Sequence, residues 1–417
     1  MKVFKFGGAS VKDAHAVKNV AEIVRNFNND KLIIIVSAMG KTTNKLEKVI
    51  QEYLNEGDWN SSLLTIKNDH IQIAKELFVE NHEIFTRIKG IFYGIEKYLT
   101  QKNFNSNLEL YSEIVSQGEI LSTRILRNYL NENVNKAAWL DARKIIKTDF
   151  NFIDARLDWD FTQSLIIDKI DSLKETNIVV SQGFIGSNNE GKTTTLGREG
   201  SDFSAAIFAT CLNAESMTVW KDVPGVLNAD PKLMPDATII KEISYQEASE
   251  LTYYGASVIH PRTIKPLAQK NIKLFVRPFT AFSEVGTVIG DFETAFPTSF
   301  ITKYNQVLVE FNVKDFSFID EKKLSIIFHE LDGLNIKINL MQNSAISFSI
   351  CIDKKFDKVE KLLERLKDKF DITHHDGLTL QTIKNFDEAS LEKISTNSNV
   401  LLEQRTTKDV HVLYEPI

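Results

Sequence analysis

Six short apolar runs, rich in Val, Ile and Phe and separated by stretches of helical periodicity, constrain this chain more than any other feature of its sequence. They are KVFKF near the start, LIIIVS at 32–37, AAWLD at 137–141, NIVVS at 177–181, MTVWK at 217–221 and IKLFV at 272–276. A helical pattern over 14–27 lies between the first two, and another follows over 41–56. Strands buried on both faces read as such unbroken runs, and strands alternating with helices wind into a mostly parallel sheet sandwiched by helices. The spacing therefore predicts an α/β domain over 1–296. Within it, 61–133 holds almost no Gly or Pro and reads as a helical insertion, a lid or a dimer surface.

After Pro297 the texture changes. VLVEFNV, a helix over 320–331, INLMQ, ISFSICI, a helix over 356–370 and a strand near 371–375 predict a smaller α+β unit of βαββαβ type over 297–376. LTLQTI, a short helix over 388–394, VLLEQ and VHVLY predict a partial second unit over 377–417, a pairing that suits a regulatory region. At 417 residues the chain exceeds what one core supports, so several domains are expected. A net charge of −6 argues against a nucleic-acid or anionic-membrane surface and towards small molecules. Cys211 and Cys351 lie far apart in apolar stretches and read as buried free thiols of a reducing compartment. The start MKVFKFGG has no signal-peptide apolar region, and no stretch approaches the roughly 20 apolar residues of a membrane helix, so the expected location is cytoplasmic.

Polar residues with chemical potential gather where the strands end. Lys5-Phe6-Gly7-Gly8-Ala9-Ser10 runs from a strand through a Gly-Gly turn toward a helix. Glycines let backbone N–H groups approach an anion, and a helix N-terminus adds partial positive charge. A tight turn with a solvated Lys5 would read the same way, and no P-loop is expected in the chain. Thr193-Thr194-Thr195-Leu196-Gly197-Arg198-Glu199-Gly200-Ser201-Asp202 precedes an apolar helix over 203–212, which Ser201 or Asp202 is expected to cap. A cap alone does not account for three threonines and an arginine between glycines. Ser37-Ala38-Met39-Gly40-Lys41-Thr42-Thr43-Asn44 places hydroxyls at a strand's carboxyl end, where open α/β sheets bind ligands. Ser116-Gln117-Gly118-Glu119 falls in a helical region, where a glutamate reads as a solvated surface charge. Lys221-Asp222-Val223-Pro224-Gly225-Val226 and Asp230-Pro231-Lys232 follow a strand, as a nucleotide frame or a plain reversal of the chain.

In this order KFGGAS, SAMGKTTN, SQGE, SQGFIG, TTTLGREGSD, KDVPGV, ADPK and YGASVIHPRT resemble the aspartate kinases of the amino-acid kinase family. The C-terminal units resemble the ACT domains through which such kinases sense amino acids. The resemblance implies transfer of the ATP γ-phosphoryl group to the β-carboxylate of L-aspartate, the first step toward lysine, threonine and methionine. It implies ATP and Mg²⁺ at the site and a homodimer through the ACT-like units, with neither nucleic acid nor membrane as partner. It also implies roles. Lys5 and the amides of Phe6, Gly7 and Gly8 stabilise the transferring phosphoryl group, with Ser10 beside the phosphates and Asp202 orienting Lys5. Lys221, Asp222 and Lys232 meet ATP. Arg198 takes the α-carboxylate and Glu119 the α-ammonium, with Ser37, Thr43 and Ser201 completing the aspartate pocket.

The chain departs from the family at four positions. Ala9 replaces a threonine, Lys221 another threonine, Leu227 a tyrosine, and Ser257 a lysine, for whose charge Lys221 is expected to compensate. A kinase of another acceptor and a catalytically silent ligand-binding regulator are the competing readings. The chain is expected to carry no homoserine-dehydrogenase region. Carboxylates expected in a lysine effector site fall at Asn339 and Ala345, with Lys322-Lys323-Leu324-Ser325-Ile326 nearby, which predicts weak control by lysine or threonine.

Overall fold

A computed structural model describes the chain except residues 28, 257–258, 294–295, 316, 393–398 and 417. It divides into two compact units. The first comprises Met1–Val226, Ile239–Ser249 and Val258–Thr294, and the second Leu227–Thr238, Glu250–Ser257 and Ala295–Ile417.

In the first unit the apolar runs become strands β1 (Lys2–Phe6), β2 (Leu32–Val36), β3 (Ala137–Leu140) and β4 (Ile178–Gln182). A hairpin of β5 (Ile185–Ser187) and β6 (Thr193–Thr195) precedes β7 (Ser216–Lys221), β8 (Glu242–Ser244), β9 (Lys273–Pro278) and β10 (Thr287–Gly290). The eight-stranded sheet has the order β3-β4-β2-β1-β7-β9-β10-β8, parallel except between β9 and β10. All five residues of β2, Leu-Ile-Ile-Ile-Val, are buried, because helices cover both faces of the sheet. α1 (Ala14–Arg25) opens with Asp13 accepting from the Ala16 N–H at 2.8 Å, one of the orphan donors at a helix start. The predicted insertion is helical: α3 (Trp59–Leu77), α4 (Glu83–Gln101) and the 27-residue α5 (Asn107–Asn133) follow α2 (Thr42–Leu54). They share one apolar core with β1, β2 and α1. α6 (Trp159–Asp171), α7 (Gly200–Cys211), α8 (Tyr245–Tyr254) and α9 (Pro261–Gln269) complete the helices of this region. Strand order runs outward from β1 in both directions, β2 on one side and β7 on the other. The carboxyl ends of β1, β2, β4 and β7 therefore frame the crevice in which such sheets bind ligands.

The second unit is one antiparallel sheet in the order β12-β13-β11-β14-β16-β15. Its strands are β11 (Ser299–Val313), β12 (Ile338–Asn343), β13 (Ser347–Asp353), β14 (Phe370–Lys384), β15 (Asn399–Arg405) and β16 (Asp409–Glu415), with helices α10 (Glu321–Gly333), α11 (Phe356–Leu366) and α12 (Glu388–Leu391). Ile327 and Leu331 of α10 and Leu362 and Leu366 of α11 pack on Val307, Val309 and Phe311. The predicted boundary at 376/377 falls inside β14. The polar His375-Asp376-Gly377 reads as a turn, but it is absorbed by a register shift against β11, so both halves belong to one sheet. The helix predicted over 356–370 ends at Leu366, since Phe370 already pairs with Val313. The segments 227–238 and 250–257 group with the second unit although the sequence reading placed them in the first. Both cysteines are free and buried, which pushes each thiol up to about 12.

Candidate active site

At the strand ends lies a cavity of about 510 Å³. Lys5, the fourth residue of β1, is buried there, its ammonium 2.6 Å from Asp202 Oδ1. Lys221 ends β7, and its ammonium stands 3.8 Å from the other oxygen, Asp202 Oδ2. One carboxylate, 3% exposed, thus gathers two lysines that enter from neighbouring parallel strands. Asp202 does not cap α7 as predicted. Glu199 occupies the cap position at φ 53° without a side-chain bond, so Ser201 and Asp202 lie within the first helical turn and face the cavity.

The Gly-Gly turn is built for close approach. A Cβ on Gly8 would stand 2.7 Å from both the Ala38 and Gly40 carbonyl oxygens, so only glycine lets this turn pack against the loop after β2. That packing brings Ser37, whose N–H donates to the Phe6 carbonyl at 3.1 Å, and Thr43 to the cavity wall. Gly118 plays a similar part in α5, where a Cβ would come within 3.1 Å of the Ala38 side chain. The next residue, Glu119, is 3% exposed and not the solvated charge its sequence context suggests. Burial pushes its carboxyl up to about 8, against the opposing pull of an Ala38 backbone hydrogen bond and the Lys5 charge. Its Oε2 has no hydrogen-bond partner among the described residues, although it lines the cavity.

Arg198 stands at the rim between Gly197 at φ 75° and Glu199 at φ 53°. It is exposed and, among the described residues, has no ion-pair or hydrogen-bond partner. Its loop is held by Arg262, which donates to the Leu196 carbonyl at 2.8 Å, the Asp154 carboxylate at 2.7 Å and the Ala155 carbonyl at 3.1 Å. The Arg262 guanidinium also lies 4.4 Å from the Phe203 ring centre.

The cavity wall thus brings together Lys5, Ser37, Thr43, Glu119, Arg198, Ser201, Asp202 and Lys221. Other predicted site residues do not line it. The Phe6 ring is in the core, stacked on Trp220 at 6.0 Å. Ser10 is buried with its hydroxyl 3.4 Å from the Trp220 carbonyl. Asp222 is exposed, and Lys232, also exposed, falls in the second unit. Ser257 lies outside the described residues. Glu47 and Tyr111, joined by a 2.8 Å hydrogen bond, line the cavity without having been singled out in the sequence. Glu47 reads as a helical surface charge and Tyr111 as part of the apolar face of α5, so nothing local marks either as a cavity residue.

Against expectation a P-loop spacing does occur in the chain, but the fold does not realise it as one. Gly186-Ser187-Asn188-Asn189-Glu190-Gly191-Lys192-Thr193 has P-loop spacing, but it joins β5 to β6. The Asn188 carboxamide oxygen accepts from the Glu190 and Lys192 N–H groups, and Lys192 pairs with Glu109 at 3.0 Å. No helix follows to receive a phosphate.

A model of the amino acid kinase family matches residues 1–278. The lysine-sensitive aspartokinase 3 of Escherichia coli is 32% identical over 355 residues, which cover 84% of this chain and 78% of that one. The bifunctional aspartokinase/homoserine dehydrogenase of Buchnera aphidicola is 31% identical over 403 residues, 91% of this chain but 47% of its own, so this chain spans about half the length of that relative. Among solved structures, Escherichia coli aspartokinase III in complex with aspartate and ADP (R-state) is similar with a TM-score of 0.86 at 29% identity, covering 100% of this chain and 96% of that one.

Proposed function

The chain belongs to the aspartokinases of the amino acid kinase family, and from that premise we propose that it transfers the γ-phosphoryl group of ATP to the β-carboxylate of L-aspartate, giving 4-phospho-L-aspartate and ADP. The observation that carries the reading is the placement of an arginine and a buried carboxylate oxygen, both without a partner among the described residues, around one cavity with a lysine–aspartate–lysine cluster. Arg198 and Glu119 offer complementary charges to the α-carboxylate and α-ammonium of a free amino acid, with the hydroxyls of Ser37, Thr43 and Ser201 beside them.

The chemistry asks little of the protein beyond this. Aspartate's side-chain carboxyl has a reference pKa of about 3.9, so the nucleophile is ionised at neutral pH and needs no base. What remains is alignment and neutralisation of charge on the transferring group. Lys5 supplies that charge, held in position by Asp202, while Lys221 adds a second cation on the ATP side. The Gly7 and Gly8 backbone lies beside Lys5, where N–H donors suit phosphate oxygens. Ser10 and Asp222 are proposed to complete the nucleotide site once ATP is bound. Among the described residues no three acidic, His or Cys side chains cluster as a metal cage. Mg²⁺ needs none when phosphate oxygens and water supply its ligands, and in that setting it would neutralise the β- and γ-phosphates.

We further propose a homodimer formed through the second unit and a cytoplasmic location. Among the described residues no helix is long and apolar enough to cross a membrane. A coupled ADP-release assay across aspartate, glutamate, acetylglutamate and nucleoside monophosphates tests the function. Aspartate-dependent turnover alone is expected, and preferential turnover of another acceptor would overturn the reading.

A further inference from the structure

A second cavity, of about 450 Å³, lies on the other side of α5 from the candidate active site. Glu113, Gln117, Ile120 and Arg124 form its α5 wall at helical spacing, whereas Glu119 faces the first cavity. Its opposite wall is α4, and Trp139 of β3 closes one side. Three arginines reach it, and two are already satisfied. Arg143 makes a two-point pairing with Asp141 at 3.0 and 2.9 Å, and Arg87 pairs with Glu83 at 3.3 and 3.2 Å.

Arg124 is not. Its guanidinium lies 3.2 Å from the Trp139 ring centre, and among the described residues it has no hydrogen bond or ion pair. It is half-buried, and burial first, then the charge of Arg87, pulls its pKa down to about 10 against the opposing charges of Asp141 and Glu83. A stacked, half-desolvated guanidinium with all its donors unused is preorganised for a two-point anion. The floor beside it is unusual in another way. Gly90 and Gly94 are interior residues of a 19-residue helix, where glycine is a poorer helix former than alanine. Yet a Cβ at either position would find no atom within 4 Å, so packing within the chain does not require them. Ile91, Ile95 and Tyr98 flank that open floor.

We propose that this cleft is a binding site for a small organic carboxylate with an apolar body, its carboxylate on Arg124 and its body over Gly90 and Gly94. The proposal does not depend on the phosphotransfer reading. Titration calorimetry of the whole protein with three probes separates its parts: 3-phenylpropionate, 3-phenylpropanol, which keeps the body without the charge, and inorganic phosphate, which keeps charge without the body. Saturable binding of 3-phenylpropionate with a Kd below about 1 mM is expected, with each of the other two at least tenfold weaker. Arg124→Gln and Gly94→Leu should each weaken it at least tenfold, while Arg198→Ala at the first cavity should leave it unchanged. Gly94→Leu replaces a poor helix former with a good one, so lost binding there is not a folding defect. No saturable binding of 3-phenylpropionate, or equal binding by wild type and both cleft variants, would overturn the proposal. So would a change in sedimenting mass in Arg124→Gln without 3-phenylpropionate binding, which would mark a contact between copies of the chain.

Discussion

Glu119 offers a pH experiment whose sign and size follow from where it lies. Its carboxyl is buried, lacks a partner on one oxygen and is pushed up to about 8. Only the ionised form attracts an α-ammonium, and apparent affinity falls with the fraction of protein in the competent state. At pH 7 that fraction is roughly 0.1 and at pH 8 roughly 0.5. The KM for aspartate should therefore fall about fivefold between these values, and less than twofold further by pH 9. Glu119→Gln keeps the shape and removes the titration, so its KM should be higher at pH 8 and flat across the range. Without substrate the sign reverses. A folded-state pKa raised from 4.5 contributes stability that is complete below 4.5 and is lost as pH rises through about 8. At about 1.4 kcal/mol per pKa unit, Glu119→Gln should gain a few kcal/mol over wild type between pH 5 and 9. Coupled ADP-release kinetics at half-unit pH steps and thermal melts of the free protein give both readings. A flat wild-type profile, or the same slope in Glu119→Gln, would refute the assignment of the ammonium to Glu119.

Arg198→Ala should raise the KM for aspartate by an amount equivalent to about 2 kcal/mol, at the low end for a charged pairing because the side chain starts exposed, and leave the KM for ATP nearly unchanged. Equal losses for both substrates would point instead to a collapsed loop. Lys221→Ala should raise the KM for ATP more than that for aspartate, and unchanged ATP kinetics would remove Lys221 from the nucleotide site. Gly8→Ala forces a Cβ against two backbone oxygens at 2.7 Å and should lower both the melting temperature and turnover; an unperturbed variant would show that the turn is looser than its contacts imply. Lysine should inhibit weakly, because Asn339 already accepts from Lys303 at 2.8 Å and donates to Asp353 at 2.9 Å while Ala345 brings no charge. Strong inhibition at submillimolar lysine would overturn that.

β2 was the most legible strand because burial on both faces leaves it no polar residue: LIIIV reads as one element and is one. What the sequence hid depends on distant partners. Glu119 looks like any helical surface glutamate until Gly118 presses α5 against the loop after β2. Ser201 and Asp202 resemble caps, and only the positive φ of Glu199 moves the helix start back and turns them inward. The spacing GSNNEGKT names a phosphate loop, but antiparallel pairing of Ile185 with Thr195 makes it a hairpin. β8 and the antiparallel β10 are three and four residues long, too short for periodicity to register. The placement of Arg198, Glu119 and Lys5 around one cavity could be named from the sequence only through the family resemblance, since no local pattern links residues that far apart.

Trapping the product with hydroxylamine tests the central claim most directly. The purified chain, given ATP, Mg²⁺ and L-aspartate, should yield aspartate β-hydroxamate in step with ADP. Lys5→Ala, melting like wild type, should make it at least about 10²-fold more slowly, because the lost charge acts mainly in the transition state. ADP released without hydroxamate, or a folded Lys5→Ala protein as active as wild type, would contradict the account.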